Sequence, residues 1–198
     1  SRGLGDVYKR QVRIPASKSH TIRAVAIASL ADGKSFIRNP LYSSDAVSAV
    51  NAYSALGAKI DTSDEKCWIV EGCSGKIESP SQTIDIGNSG TTLRLAAGSA
   101  ALCRSNKPIV LTGDHQIRNR AIEPLLNSLS ELGARCRSLK GNSCAPVEIY
   151  GAIKGGKTTI ECFTSQYLSS LLLCCPLAEN DTEIVVTLLN EPDYVKIT

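Results

Sequence analysis

A short phrase occurs twice in this chain. Ser54-x-Leu56-Gly57-Ala58-Lys59 returns as Ser130-x-Leu132-Gly133-Ala134-Arg135. In both copies an apolar, helix-like pattern runs into the glycine and a short strand-like stretch follows. Glycine at that place reads as a helix stop, because it takes left-handed backbone conformations without the clash a Cβ brings. The segments around the two copies follow one another in the same order. That restricts the chain to architectures in which one supersecondary unit is repeated and neighbouring copies bury each other's apolar faces.

Periodicity fills in the unit. The first copy predicts a short strand over 12–15, closed by Pro15, and an alanine-rich helix over 21–31 ended by Asp32-Gly33. A strand over 35–39 follows. Ser43-Ser44-Asp45 caps a helix over 46–56, with Val47, Val50, Tyr53 and Ala55 on or near one face. Strands over 59–61 and 67–70 pair. The second copy repeats this with a strand over 83–86, a helix over 91–102, a strand over 108–112, a helix over 121–132 and paired strands over 135–137 and 147–150. A third begins with a strand over 158–161, a helix over 166–173 or beyond, and a strand over 183–188. The fold class is therefore mixed α/β, a pseudo-threefold repeat of βαβαββ units at about 12–76, 77–152 and 153–198, the last incomplete. Residues 1–11 show no apolar periodicity and read as a leader outside the fold.

Composition sets outer limits. With 42% apolar and 21% charged residues the chain is expected to build a core. A net charge of +3 is too small to argue for nucleic acid and suits small anionic substrates. No apolar run has membrane-spanning length. Eight cysteines without any C-x-x-C pair read as reduced, mostly buried thiols of a cytoplasmic protein, not as a metal site or a disulfide frame.

Each unit opens on a polar strand-to-helix junction: Ser17-Lys18-Ser19, Asn88-Ser89-Gly90-Thr91 and Thr164-Ser165-Gln166. The first amides of a helix lack partners, and the helix dipole favours an anion there. Three such junctions related by an approximate threefold would form one anion-friendly face. Arg94, one turn into its helix, offers either a guanidinium fork for an anion or a structural ion pair. A different motif is set aside. Gly151-Ala152-Ile153-Lys154-Gly155-Gly156-Lys157-Thr158 spells a phosphate loop, but such a loop needs a helix directly after the lysine. The β-branched and aromatic run Thr158-Thr159-Ile160-Glu161-Cys162-Phe163 predicts a strand instead.

At Ile14-Pro15-Ala16-Ser17-Lys18-Ser19, Gly87-Asn88-Ser89-Gly90-Thr91, Leu111-Thr112-Gly113-Asp114 with Arg120, and Ser165-Gln166-Tyr167-Leu168, the chain resembles the enolpyruvyl transferases. The resemblance runs from Val12 to Thr198 and covers the first of the family's two domains. It implies transfer of the enolpyruvyl group of phosphoenolpyruvate to the 5-hydroxyl of shikimate 3-phosphate with release of phosphate, without metal or organic cofactor, by a monomeric full-length parent. By the same resemblance Lys18 is catalytic and contacts both substrates. Ser19, Arg23, Thr164, Ser165, Gln166 and Tyr194 match shikimate 3-phosphate contacts. Asn88, Gly90, Thr91, Arg120 and Gln166 match phosphoenolpyruvate contacts. The family's carboxylate base and several cationic ligands belong to the second domain, so the chain alone is expected to be inactive.

Some positions depart from the family pattern. Thr164 replaces a usual serine, Gln116 stands at a variable place, and Asn190-Glu191-Pro192-Asp193-Tyr194 replaces a serine-basic-proline-tyrosine run. His20 is read as a helix-start residue. Two alternatives are a transferase of the same family acting on UDP-N-acetylglucosamine, and a non-catalytic half domain that binds a phosphorylated ligand. The first is disfavoured by Lys18-Ser19, where that branch has Lys-Asn, and by Asp114-His115, where its loop carries a cysteine.

Overall fold

The structure, a computed structural model, describes residues 14–198. Six helices and nine strands alternate along them. Helix α1 (Lys18–Leu30) starts three residues earlier than periodicity suggests, because the hydroxyl of Ser17 accepts from the amide of His20 and fixes the first turn. Strand β1 (Lys34–Arg38), helix α2 (Ser44–Ala55) and strands β2 (Lys59–Asp61) and β3 (Cys67–Glu71) follow. Next come β4 (Ile84–Asp85), α3 (Gly90–Ala100), β5 (Ile109–Thr112), α4 (Glu123–Glu131), β6 (Arg135–Ser138) and β7 (Val147–Tyr150). The remainder is β8 (Gly156–Cys162), α5 (Ser165–Cys174), β9 (Thr182–Leu189) and α6 (Pro192–Lys196). Of the strand expected over 12–15, Val12 and Arg13 lie outside the described residues, and Ile14 and Pro15 form no strand.

The strands make three small sheets. In the first, β1 and β2 both pair antiparallel with β3. The second has the order β4-β5-β7-β6, with β4 parallel to β5 and the other pairs antiparallel. In the third, β8 and β9 pair in parallel across the α5 crossover. The two glycines of the repeated phrase serve the purpose read from sequence. Gly57 and Gly133 have φ of 111° and 112°, and each ends its helix just before a strand. Helix α2 corrects the expected face. Its fully buried positions are Ala46, Ala49, Ala52 and Tyr53, while Val50 and Ala55 are only partly buried. Small residues win that face because α2 lies close to α1 and α3. Helix α4 begins at Glu123 and not at 121, with Pro124 in its first turn.

Helix α3 is the centre. Leu93, Leu95, Ala96, Ala97 and Ala100 are buried around its whole circumference, and only Thr91 of its residues is even partly open to solvent. It packs against α1, α2 and α5. Its approach to α5 is close enough that a Cβ on Gly98 would overlap the Ser170 hydroxyl, and the Ser170 carbonyl lies 3.0 Å from the same point. The Ser170 hydroxyl donates to the Arg94 carbonyl at 2.6 Å, and Tyr53 and Ser99 share a buried hydrogen bond of 2.9 Å. All eight cysteines are free thiols, four buried and four partly so. The literal phosphate-loop lysine, Lys157, lies within β8 and pairs with Glu183 of β9 at 2.8 Å, so no helix follows it.

Two substitutions test this packing. Gly98→Ala is expected to lower unfolding free energy by about 1–3 kcal/mol through overpacking, read as a fall in the urea midpoint. An unchanged midpoint would contradict the close crossing. Lys157→Ala, at an exposed ion pair, is expected to move stability by less than about 0.5 kcal/mol and to leave the heat of mixing with ATP at the buffer baseline.

Candidate functional site

The three polar junctions become the N-termini of α1, α3 and α5, and each is capped by its own hydroxyl. Ser17 accepts from the His20 amide at 3.4 Å, Ser89 from the Thr92 amide at 3.3 Å, and Thr164 from the Gln166 amide at 3.5 Å. The packing of α3 against α1 and α5 brings these starts to one face. Two clefts open there. One, of about 220 Å³, is lined by Lys18, Ser19, Arg23, Thr91, Ser165, Gln166, Glu191 and Tyr194. The other, of about 380 Å³, is lined by Lys18, Ser44, Asp45, Asn88, Gly90, Thr91, Gln116, Arg120 and Gln166. Lys18, Thr91 and Gln166 line both and so form a common wall. A larger cavity of about 630 Å³ lies among residues 74–78, Leu102, Ile153 and Leu177, and contains none of the junction residues.

Of the residues matched to substrate contacts, all but Thr164 line one of the two clefts; Arg94 lines neither. Thr164 is occupied as the cap of α5. Arg94 is buried, with only 6% of its surface exposed. Among the described residues it pairs with no carboxylate. Its guanidinium donates to the Gly90 carbonyl at 3.1 Å and the Ala121 carbonyl at 2.8 Å, and lies 5.9 Å from the centre of the Tyr167 ring. Tyr167 donates to the same Ala121 carbonyl at 2.8 Å. Burial, and secondarily Tyr167 and Arg120, set the Arg94 pKa, with burial lowering it from the usual arginine range. The residue therefore shapes the loop at Gly90 and the segment that carries Arg120.

Charge in the site is uneven. Lys18 is paired with Asp45 at 2.6 Å. Sequence reasoning saw Asp45 as a capping residue of α2, and that role hid its reach to Lys18. Asn88 donates to Gln116 at 3.0 Å, so Gln116 also belongs to the site. Arg120 has no ion-pair partner among the described residues, and its Nη1 lies 3.0 Å from where a Cβ on Gly90 would sit, with Arg94 Nη1 at 2.6 Å from that point. A Cβ at Gly90 would force these guanidiniums to shift. Arg23 is 2% exposed and donates to Thr198 Oγ1 at 2.8 Å, Ser169 Oγ at 3.1 Å, and the Tyr194 and Ser19 carbonyls at 3.1 and 3.3 Å. Burial lowers its pKa, yet an arginine remains charged at neutral pH. The Gln166 Oε1 is buried and meets no donor among the described residues, which makes it an acceptor in want of a ligand hydroxyl or amine.

A mixed helix-and-sheet fold that gathers three helix starts and their cations on one face defines an α/β domain with an anion-favouring cleft. The chain belongs to the EPSP synthase (3-phosphoshikimate 1-carboxyvinyltransferase) family, whose sequence profile matches residues 5–198. It is 54% identical over 187 residues to a 3-phosphoshikimate 1-carboxyvinyltransferase of Acetivibrio thermocellus, covering 94% of this chain and 44% of that protein. It is 43% identical over 192 residues to one from Methanococcus maripaludis strain C7, covering 93% and 43%. Among solved structures, EPSP synthase from Acinetobacter baumannii superposes with a TM-score of 0.82 at 24% identity, covering 93% of this chain and 42% of that one, which shows the shared fold. The chain thus spans less than half the length of the curated relatives it matches.

Arg94→Lys is expected to lower stability by about 2 kcal/mol, because one ammonium cannot replace two directed guanidinium bonds and the contact with Tyr167. Chemical unfolding checks this, and a loss below about 0.5 kcal/mol would show that the two carbonyls find other donors.

Proposed function

We propose that the protein containing this chain transfers the enolpyruvyl group of phosphoenolpyruvate to the 5-hydroxyl of shikimate 3-phosphate and releases phosphate. The observation that carries the reading is the pair of adjoining clefts with one common wall. Two anionic substrates placed side by side need two anion seats and a group that reaches both, and Lys18, Thr91 and Gln166 are such a wall. The names of the relatives support the same reaction.

In this reading Ser19, Arg23, Ser165, Gln166 and Tyr194 hold shikimate 3-phosphate, and Asn88, Gly90, Thr91, Arg120 and Gln166 hold phosphoenolpyruvate. Thr164 contributes by capping α5. The unpartnered Gln166 Oε1 takes a ring hydroxyl. Arg120 supplies a guanidinium to the phosphate or carboxylate of phosphoenolpyruvate. Lys18 leaves Asp45 and stabilises charge developing between the two substrates, and it assists proton transfer at the reacting carbon. Asp45 holds it in place until then. Residues 12–198 form the first of two domains, built of three related units, and the parent works as a cytoplasmic monomer. The remaining cations and a carboxylate base come from the other domain, so this chain alone holds shikimate 3-phosphate without turning it over.

The assay is phosphate release from phosphoenolpyruvate with shikimate 3-phosphate present. The chain alone should stay at background, and the full-length protein should turn over. Lys18→Ala in the full-length protein is expected to lower kcat by about 10²-fold or more. Robust turnover by the chain alone would refute the divided site, and a rate indifferent to Lys18→Ala would refute the role given to that lysine.

A further inference from the structure

One carboxylate in the first cleft has no place in the reaction above. Glu191 lines the cleft beside Arg23, Ser165 and Gln166, and its Oε2 accepts from the Ser165 hydroxyl at 3.1 Å. No cation answers it. Among the described residues Lys18 is paired with Asp45 and Lys196 with Asp193 at 2.8 Å, while every donated bond of Arg23 goes to an oxygen of another residue. The backbone at Glu191 has φ of 56° and ψ of 50°, left-handed values that cost a residue with a Cβ some free energy. This conformation is kept at the point where the chain turns from β9 into α6 and sets the carboxylate against the start of α5. An anion there gains from the unpaired amides and dipole of a ten-residue helix.

We propose that the Glu191 carboxylate is an internal occupant of the anion seat at Ser165. In the free protein it takes the place that the phosphate of the ligand takes, and it leaves before that phosphate binds. The inference rests on the reading that this cleft holds shikimate 3-phosphate, and it makes Glu191 a residue that sets affinity for the phosphorylated ligand. Two negative groups cannot share one hydroxyl donor and one helix start, so each molecule of ligand displaces a charge already held. The bond from Ser165 to Glu191 is exchanged for one from Ser165 to phosphate, and the carboxylate moves to solvent. Ligand lacking the phosphate makes no such demand.

The test is calorimetric titration of the full-length protein carrying Glu191, Glu191→Gln or Glu191→Asn. Glutamine keeps the size without the charge. Asparagine also removes the charge and tolerates the left-handed backbone. Both variants are expected to bind shikimate 3-phosphate about tenfold more tightly than the unaltered protein, since a like charge at the seat is gone. Shikimate itself should bind all three within about twofold, and thermal unfolding verifies that each is folded. Equal or weaker binding of shikimate 3-phosphate by both variants overturns the inference while leaving the functional reading intact. Tightening by asparagine alone overturns it too, because volume and not charge would then be at issue. If none of the three binds shikimate 3-phosphate, the functional reading fails and the inference with it.

Discussion

A buried guanidinium holds the site in shape. Arg94 sits within the central helix α3, where water does not reach it, and satisfies two backbone carbonyls far apart in sequence, those of Gly90 and Ala121. A charge taken out of water is tolerated only when hydrogen bonds replace its hydration. Here Nη1 and Nη2 find carbonyls while the buried Nε meets no partner among the described residues, and the two bonds tie the start of α3 to the segment between Arg120 and α4, with Tyr167 of α5 closing over the same carbonyl. One side chain thus fixes three elements relative to each other. Arg120, the exposed cation of the second cleft, directly precedes Ala121, so its position follows from an interaction it takes no part in.

The clefts themselves show a division of electrostatic labour. Lys18 is neutralised by Asp45 and Arg23 is stitched into carbonyls and hydroxyls, whereas Arg120 faces open space above a glycine. An arginine with no counter-charge among the described residues, beside a second guanidinium whose pKa it helps lower, is the more strongly anion-seeking of the three. The Lys18–Asp45 pair is half-open, with the lysine side chain 53% and the aspartate 19% exposed, so water screens it only in part.

Much of this was legible in the sequence. Local rules located the helix caps and the two glycine stops, because each depends on residues within one turn. The convergence of the three junctions followed from the order of the segments. The central role of Arg94 was not legible, since its second acceptor is a backbone carbonyl 27 residues away and carries no signature in the side chain at that position. Asp45 was read as part of the cap of α2, but Ser43 is the cap and Asp45 stands in the first turn, where its pairing with Lys18 has no local signature. The alanine face of α2 won over its valines because nearby helices leave no room for larger groups. The pairing of β1 with β3 is also non-local, as the strands are separated by a helix and a hairpin arm.

The crossing of α3 over α5 bears on heredity as well as on packing. Gly98 and the Ser170 hydroxyl occupy one small volume between two helices. A lineage that gains a side chain at the first position must withdraw something at the second, and no gradual series of single steps is neutral between the two states. Such a pair is expected to vary together or not at all, and to act as a ratchet on the divergence of the helices it joins.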